Sequence, residues 1–438
     1  MPLRYTASRQ IDMAGQHAVR CHPMRAFRFV TAPRPETEIH AVRVTRSGST
    51  SGAVRVAFAF WITLVGTTVP TPLYPLYELE FGFSSLTVTV VYALYALGVV
   101  VGLLVFGRLS DQIGRRPVIL IALLLSVAAD AVFLAAVDLA MIILGRILAG
   151  LSAALIIGTA TAALAELIDP RHPKRAATVS IFANLGGLAT GTLLSGIVSD
   201  VAPEPLRLPW VIVLVLAVIA IIALRGVPET VRERSPVTVR VQRLHVPATI
   251  RGAFIRSAIT AGAGFAALGV LTSVSGLFLG MVLHETSHTL AALVVFVAFA
   301  GAAFGQLLTR VLSSRAALAS ACAGLVVGAS LLAFSMWMAL LATLLISAAI
   351  IGVASGVAVG DGIATITMKT EPQHRAEAVS TFFAILFAML GVPAVGVGLL
   401  IQTIGLRPAG EVFSAVVAVL ALVVLLSLVR GARTRPAS

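Results

Sequence analysis

Apolar stretches of about twenty residues recur twelve times between Val54 and Val429, and short loops rich in arginine separate most of them. A bilayer core about 30 Å thick is crossed by roughly 20 apolar residues at 1.5 Å rise each, and only helices and closed barrels satisfy their backbone there. The first six spans are read at 54–71, 88–107, 118–137, 140–167, 178–199 and 210–225. The second six are read at 257–280, 289–308, 316–335, 338–367, 377–402 and 412–429. With 58% hydrophobic and only 12% charged residues, the chain lacks the polar surface of a water-soluble protein of this size. The expected class is an all-α integral membrane protein.

A formal net charge of +13 invites a nucleic-acid reading, but the placement of the charge excludes it. All Lys and Arg residues except Arg146, Arg207 and Arg407 fall in the terminal segments, in alternate loops or, like Arg55 and Arg225, at the span ends beside them. That asymmetry places both termini in the cytoplasm of a cell-membrane protein, with anionic lipid headgroups as partners of the basic loops. Lys174 and Lys369 are the only lysines, and this Arg, Ala, Val, Leu and Gly bias points to a GC-rich bacterial source. Cys21 and Cys322 form neither a disulfide framework nor a metal site.

Residues 1–52 read as a disordered basic tail, or as an over-called start with Met13 and Met24 inside it. Two bundles are expected at 53–226 and 253–430, joined by a basic cytoplasmic loop at 227–252 and followed by a tail at 431–438. The halves repeat. GRLSDQIGRRPVIL from Gly107 is echoed by GQLLTRVLSSRAAL from Gly305, and RAATVS from Arg175 by RAEAVS from Arg375. Because six is even, both halves run the same way, and two parallel bundles leave a cavity near the midplane.

The segment Gly107-Arg-Leu-Ser-Asp111-Gln-Ile-Gly114-Arg115-Arg116-Pro117 joins the second and third spans. Glycines permit a tight turn at Gly107 and Gly114, Asp111 suits a helix N-terminus, and Arg115 can reach Glu166 at the end of the fourth span. In residue type, spacing and position it resembles the G-x-L-x-D-x-x-G-R-R/K loop of the major facilitator superfamily. The resemblance implies a twelve-helix transporter in two six-helix repeats, with this cluster as a latch for the outward-facing state. In the second copy Thr309 replaces the Asp, beside Gly305, Arg310 and Arg315, which predicts a weaker latch.

Two further segments resemble motifs of the same family. Arg146-Ile-Leu-Ala-Gly150-Leu-Ser152-Ala153-Ala154 is similar to its R-x-x-x-G-x-G-A-A pattern, which implies a role for Arg146 in proton coupling. Asp130 and Arg146 each lie about 12 Å of helix from the turn at Asp138, so they share a depth, although not necessarily a face. Gly187-Leu-Ala-Thr-Gly191-Thr192-Leu-Leu-Ser195-Gly196 resembles the G-x-x-x-G-P-x-x-G-G motif of drug/proton antiporters, with Thr192 in place of proline. It implies outward transport.

Asp361, flanked by Gly360 and Gly362 in the tenth span, is the other buried acid, and an intramembrane carboxylate is a functional candidate by default. The first span holds no acid, and its outer end should unwind at Pro70, Pro72 and Pro75, gathering Tyr74, Tyr77, Glu78 and Glu80 at the outer mouth. Pro228-Glu229-Thr230 resembles a loop of sugar carriers, and His284 and His288 are expected to be solvated. There is no phosphate-binding glycine loop and no metal-spaced cluster, so the expectation is a transporter rather than an enzyme, without a cofactor. The expected cavity holds Arg146, Asp130, Asp361, Asn184, Gln306 and several threonines. It suits proton-coupled efflux of a small lipophilic or weakly polar substrate by a monomer. Uptake of a sugar or metabolite, and a membrane sensor that does not transport, are the alternatives.

Overall fold

A computed structural model describes residues 50–169, 171–231 and 246–433. Most of the expected tails and of the central loop lie outside the described residues, but residues 50–52 already belong to the first helix and 431–433 to the last. The first six long helices are α1 (Thr50–Thr68), α3 (Ser85–Phe106), α5 (Arg115–Leu134), α6 (Leu139–Leu167), α7 (Pro173–Val201) and α8 (Leu208–Leu224). Short helices α2 (Tyr74–Phe81) and α4 (Leu109–Ile113) interrupt the series. The second six are α9 (Arg251–Phe278), α10 (His288–Leu308), α11 (Ser314–Met338), α12 (Leu341–Lys369), α13 (Pro372–Ile404) and α14 (Leu406–Arg433). Among the described residues, 11 helices are long and apolar enough to cross a membrane, and the 17-residue α8 is a shorter apolar one. The fold is all-helical, with the spans where the apolar runs place them.

The exposed surface is that of a protein whose solvent is lipid. Val412, Val416, Val419, Val423 and Leu426 line the outer face of α14, all of them exposed. That pattern is stable only where the surroundings are as apolar as the side chains.

Helices α1, α3, α5, α6, α7 and α8 pack on one another, as do α9 to α14, and α3·α13 and α7·α10 contacts join the two sets. Lipid supplies little hydrophobic drive between helices, so the contacts depend on small residues that let backbones approach. Gly98 of α3 lies against Gly150 of α6, and Gly102 against Ala154. Likewise Gly305 of α10 lies against Val353 of α12, and Gly356 of α12 against Ala302 of α10. The repeat is therefore visible in the packing itself.

The loop repeat needs correction. Gly107 follows α3 with an ordinary right-handed φ of −58°, whereas Gly305 sits inside α10. Gly305 packs on Val353 of α12 much as Gly102 packs on Ala154 of α6. After Leu308 the chain reaches α11 at Ser314 without a short helix like α4.

The first span breaks where its prolines require. Helix α1 ends at Thr68, turns occupy the next residues, and α2 begins with Pro75 in its first turn. The expected aromatic and acidic cluster does not form. Tyr74 and Tyr77 are buried, with Trp210 Nε1 donating to the Tyr77 hydroxyl at 3.0 Å, while Glu80 faces outward and Glu78 accepts from Ser85 at 3.1 Å.

A Cβ at Gly356 would stand 2.0 Å from the Ala302 carbonyl oxygen, so Gly356→Leu must push α10 away from α12. The expected loss is about 1–3 kcal/mol, read as a lowered thermal unfolding midpoint in detergent. Gly186→Ala, where nothing lies within 4 Å of the new Cβ, should leave the midpoint unchanged.

Candidate functional site: a central cavity and its two ends

A cavity of about 790 Å³ lies between the two helix sets. Its wall includes Thr67, Thr68 and Thr71 at the end of α1, Tyr92 and Tyr95 of α3, and Asn184 and Leu188 of α7. From the second set come Phe265 and Thr272 of α9, Gln306 of α10, Gly360 and Ile363 of α12, and Phe383 and Phe387 of α13. At one end Gly158, Thr161, Ala165, Ala177 and Met368 are exposed, so the cavity opens on the face that carries the arginine-rich loops. At the other end Thr68, Thr71, Tyr92, Tyr95 and Thr272 are buried, and the Tyr92 hydroxyl sits beside that of Thr272.

The closed end is held by helices in direct contact. Gly187 and Gly191 of α7 face the Trp61 and Val65 carbonyls of α1, and Gly196 faces the His288 carbonyl and Ala292 of α10. Ser195 donates to the Val69 carbonyl at 2.7 Å, and Thr192 folds back on the Ala189 carbonyl at 2.8 Å. The glycine segment of the fifth span thus binds α7 to both sets. At the end of α7, Asp200 accepts from the Ser287 hydroxyl at 2.7 Å and from the backbone of His288 and Thr289 at 2.8 and 2.9 Å. The His288 ring adds a contact at 2.9 Å. His288 is therefore engaged across the two sets rather than solvated, a role that the sequence did not signal.

On the basic face, Arg115 reaches Asp111 at 2.5 Å, Ser110 at 2.7 Å and Glu166 at 3.1 Å. The cluster has a member not foreseen for it. Glu229 accepts from the backbone N–H of Arg115 at 2.9 Å, Arg116 at 3.1 Å and Val231 at 3.0 Å, and Thr230 donates its hydroxyl to Glu166. It is Glu229, not Asp111, that occupies the N-terminus of α5. Gly114 makes this possible: its φ is +111°, and a Cβ there would meet the Glu229 carboxylate at 2.5 Å. All these residues belong to the first helix set or the segment just after it, and they meet while the cavity is open on this face. Arg108 does cross between the sets here, pairing with Glu377 at 3.3 Å.

Arg146 is fully buried, as an arginine inside a span must be. Its Nη1 donates to the Thr67 carbonyl at 2.8 Å, its Nη2 to the Tyr74 hydroxyl, and its guanidinium carbon lies 5.1 Å from the Tyr74 ring centre and 5.9 Å from that of Phe133. No ion pair joins it to Asp130 among the described residues. Asp130 instead faces α1 near Gly66, with one oxygen unpartnered. The two share a depth but not a face. Neither lines the cavity. Asp361 does not line it either: its neighbours Gly360 and Ile363 do, and successive helical residues turn by about 100°, which aims Asp361 toward Ser314 of α11.

A family model described as Major Facilitator Superfamily matches residues 56–392. The chain is 30% identical over 129 residues to the inner membrane transport protein YnfM of Escherichia coli, covering 30% of this chain and 31% of that protein. It is 25% identical over 117 residues to the quinolone resistance protein NorA of Staphylococcus aureus, covering 27% and 30%. The chain thus spans under a third of the length of these curated relatives. A crystal structure of the nucleoside transporter NupG aligns with a TM-score of 0.66 at 13% identity, covering 86% of this chain and 99% of that one. A bacterial homolog of the human lysosomal transporter Spinster, inward-facing and unoccupied, aligns with a TM-score of 0.65 at 15% identity, covering 86% and 97%. At such identities the likeness shows the fold.

Partial burial works against the Glu229 charge, but the four amides of Val231, Arg115, Arg116 and Thr230 outweigh it and hold the carboxyl below its ordinary value. A lowered value means that the stabilisation is present above the ordinary carboxylate range and disappears as pH falls through the folded value. Glu229→Ala should therefore cost about 1 kcal/mol at neutral pH. The gap between its unfolding midpoint and that of the parent should narrow in strongly acidic buffer.

Proposed function

The chain belongs to the major facilitator superfamily of membrane transporters, and on that premise we propose that it exports a small lipophilic or weakly polar compound in exchange for protons. The observation that carries this reading is the cavity. Its wall is mainly apolar, interrupted by hydroxyl and amide groups, and it holds no carboxylate among the described residues. Such a wall desolvates an apolar solute at little cost and offers a polyanion or a polyhydroxylated solute few partners. Similarity to a quinolone resistance protein supports export, and similarity to an inner membrane transport protein supports the cell membrane as its location.

With the termini in the cytoplasm, the open cavity faces inward, the same state as that of the bacterial Spinster homolog. Alternating access then requires the α7·α10 and α3·α13 contacts at the closed end to part while the basic face closes. Proton coupling draws on Asp361 and Asp130, each with an oxygen that lacks a protein partner, and on the buried charge of Arg146. Since none of the three touches the cavity wall, coupling acts through helix packing rather than direct competition with the substrate. The carrier acts as a monomer.

The test is proton movement in reconstituted vesicles, followed with a pH-sensitive dye and a panel of lipophilic compounds. The expected result is substrate-dependent dissipation of an imposed gradient, lost in Asp361→Asn and Arg146→Ala proteins that still insert. Gradient collapse that both variants retain would remove these residues from the coupling machinery. No response from the parent protein to any compound would favour a hydrophilic metabolite instead.

A further inference from the structure

The polar groups around the cavity are unbalanced in charge. The only ionisable side chain with a full charge in the wall, among the described residues, is Arg310, just beyond the end of α10 at the open mouth. It is exposed and has no ion-pair partner among the described residues. At the blind end stands Thr71, buried, its hydroxyl without a hydrogen-bond partner. Just behind that end lies Arg146, whose hydrogen bonds go to the neutral Thr67 carbonyl and Tyr74 hydroxyl and whose Nε is unpartnered. No carboxylate lies within ion-pair distance of it among the described residues. Between the ends, the side-chain amides of Asn184 and Gln306 make no hydrogen bond to described residues and line the wall from opposite helix sets. The one fixed charge in the wall itself, among the described residues, is thus positive, and uncharged donors stand at the blind end and between the ends; one layer back, Arg146 is joined by the acids Asp130 and Asp361.

Resting on the reading of the cavity as a lipophilic carrier site, we infer that its cargo is a lipophilic organic anion of single charge, with Arg310 as a specificity-determining residue. A lipophilic cation entering the cavity leaves water without meeting a carboxylate in the wall and approaches the Arg310 guanidinium. An anion with an aromatic or alkyl body gains from Arg310. Its body lies among Phe265, Phe383, Phe387 and Leu188, while its charged group meets Arg310 at the mouth. A buried unpartnered hydroxyl such as that of Thr71 carries a desolvation cost that an acceptor on the cargo would offset.

The test uses three probes sharing one ring system: 2-naphthoate, 2-naphthamide and 2-naphthylmethylammonium. Binding to the full-length protein in lipid nanodiscs is measured by calorimetry at neutral pH. The expected order is naphthoate tightest and the ammonium weakest, with Arg310→Gln weakening naphthoate about five-fold and leaving the neutral amide unchanged. Should the ammonium bind as tightly as naphthoate, the charge preference is overturned while the lipophilic cavity stands. Naphthoate binding undiminished in Arg310→Gln would overturn the assignment of that residue. Failure of all three probes to bind the parent protein would sink the lipophilic reading and this inference with it.

Discussion

Close backbone approach between helices is the constraint on which this structure rests. In a bilayer, burying a leucine against another helix gains little over leaving it in lipid, so stability comes from packing density. Gly98 with Gly150, Gly305 with Val353 and Gly356 with Ala302 bring α3 to α6 and α10 to α12 at backbone contact. The same device appears between the sets, where Gly196 meets α10 and Gly391 of α13 meets Ala93 and Ala96 of α3. Inside a set such contacts are structural. Between sets they are the surfaces that a transport cycle has to separate and rejoin, and their smoothness makes a rocking motion feasible without repacking large side chains.

The polar chemistry is distributed around that framework in layers. The cavity wall itself carries almost no charge. Buried charges sit one layer back, with Arg146 against α1 and α2, Asp130 against α1, and Asp361 against α11. The strongest hydrogen-bonded clusters occupy the two membrane boundaries, around Arg115 on one face and Asp200 on the other. This places the groups most sensitive to water where water is available, and keeps the solute pathway adaptable.

The spans and the internal repeat of six were legible in the sequence because each is written in the length and recurrence of apolar runs. The Arg115–Glu166 contact was legible as well, since a motif fixed one partner and a span end the other. Depth could be read for Asp130 and Arg146 by counting helical rise, but azimuth could not, because nothing local says which neighbour a helix turns toward. Asp361 failed in the same way: the sequence showed that it lies inside a span, and only the packing shows that its neighbours Gly360 and Ile363 take the cavity side. Glu229 and the Asp200–His288 contact were hidden because each joins residues separated by a long stretch of chain. The loop echo at Gly305 misled for another reason. The matching letters fall inside α10, where Gly305 serves packing rather than a turn.

The capping of α5 by Glu229 also sets the mechanical length of the tether between the two halves. Without it, the last point held to the first half would be Val227, buried and bonded to the Leu224 carbonyl, with the next described segment beginning at Val246. With Glu229, Thr230 and Val231 pinned to the first half, the distance that the chain has to span is the one from Val231 to Val246. The fully extended contour of that stretch is about 50 Å. That figure is a ceiling on how far the anchoring points can separate in any state of the cycle. Releasing the carboxylate would let out additional slack, so the same residue that stabilises a helix end also gauges the travel of the machine.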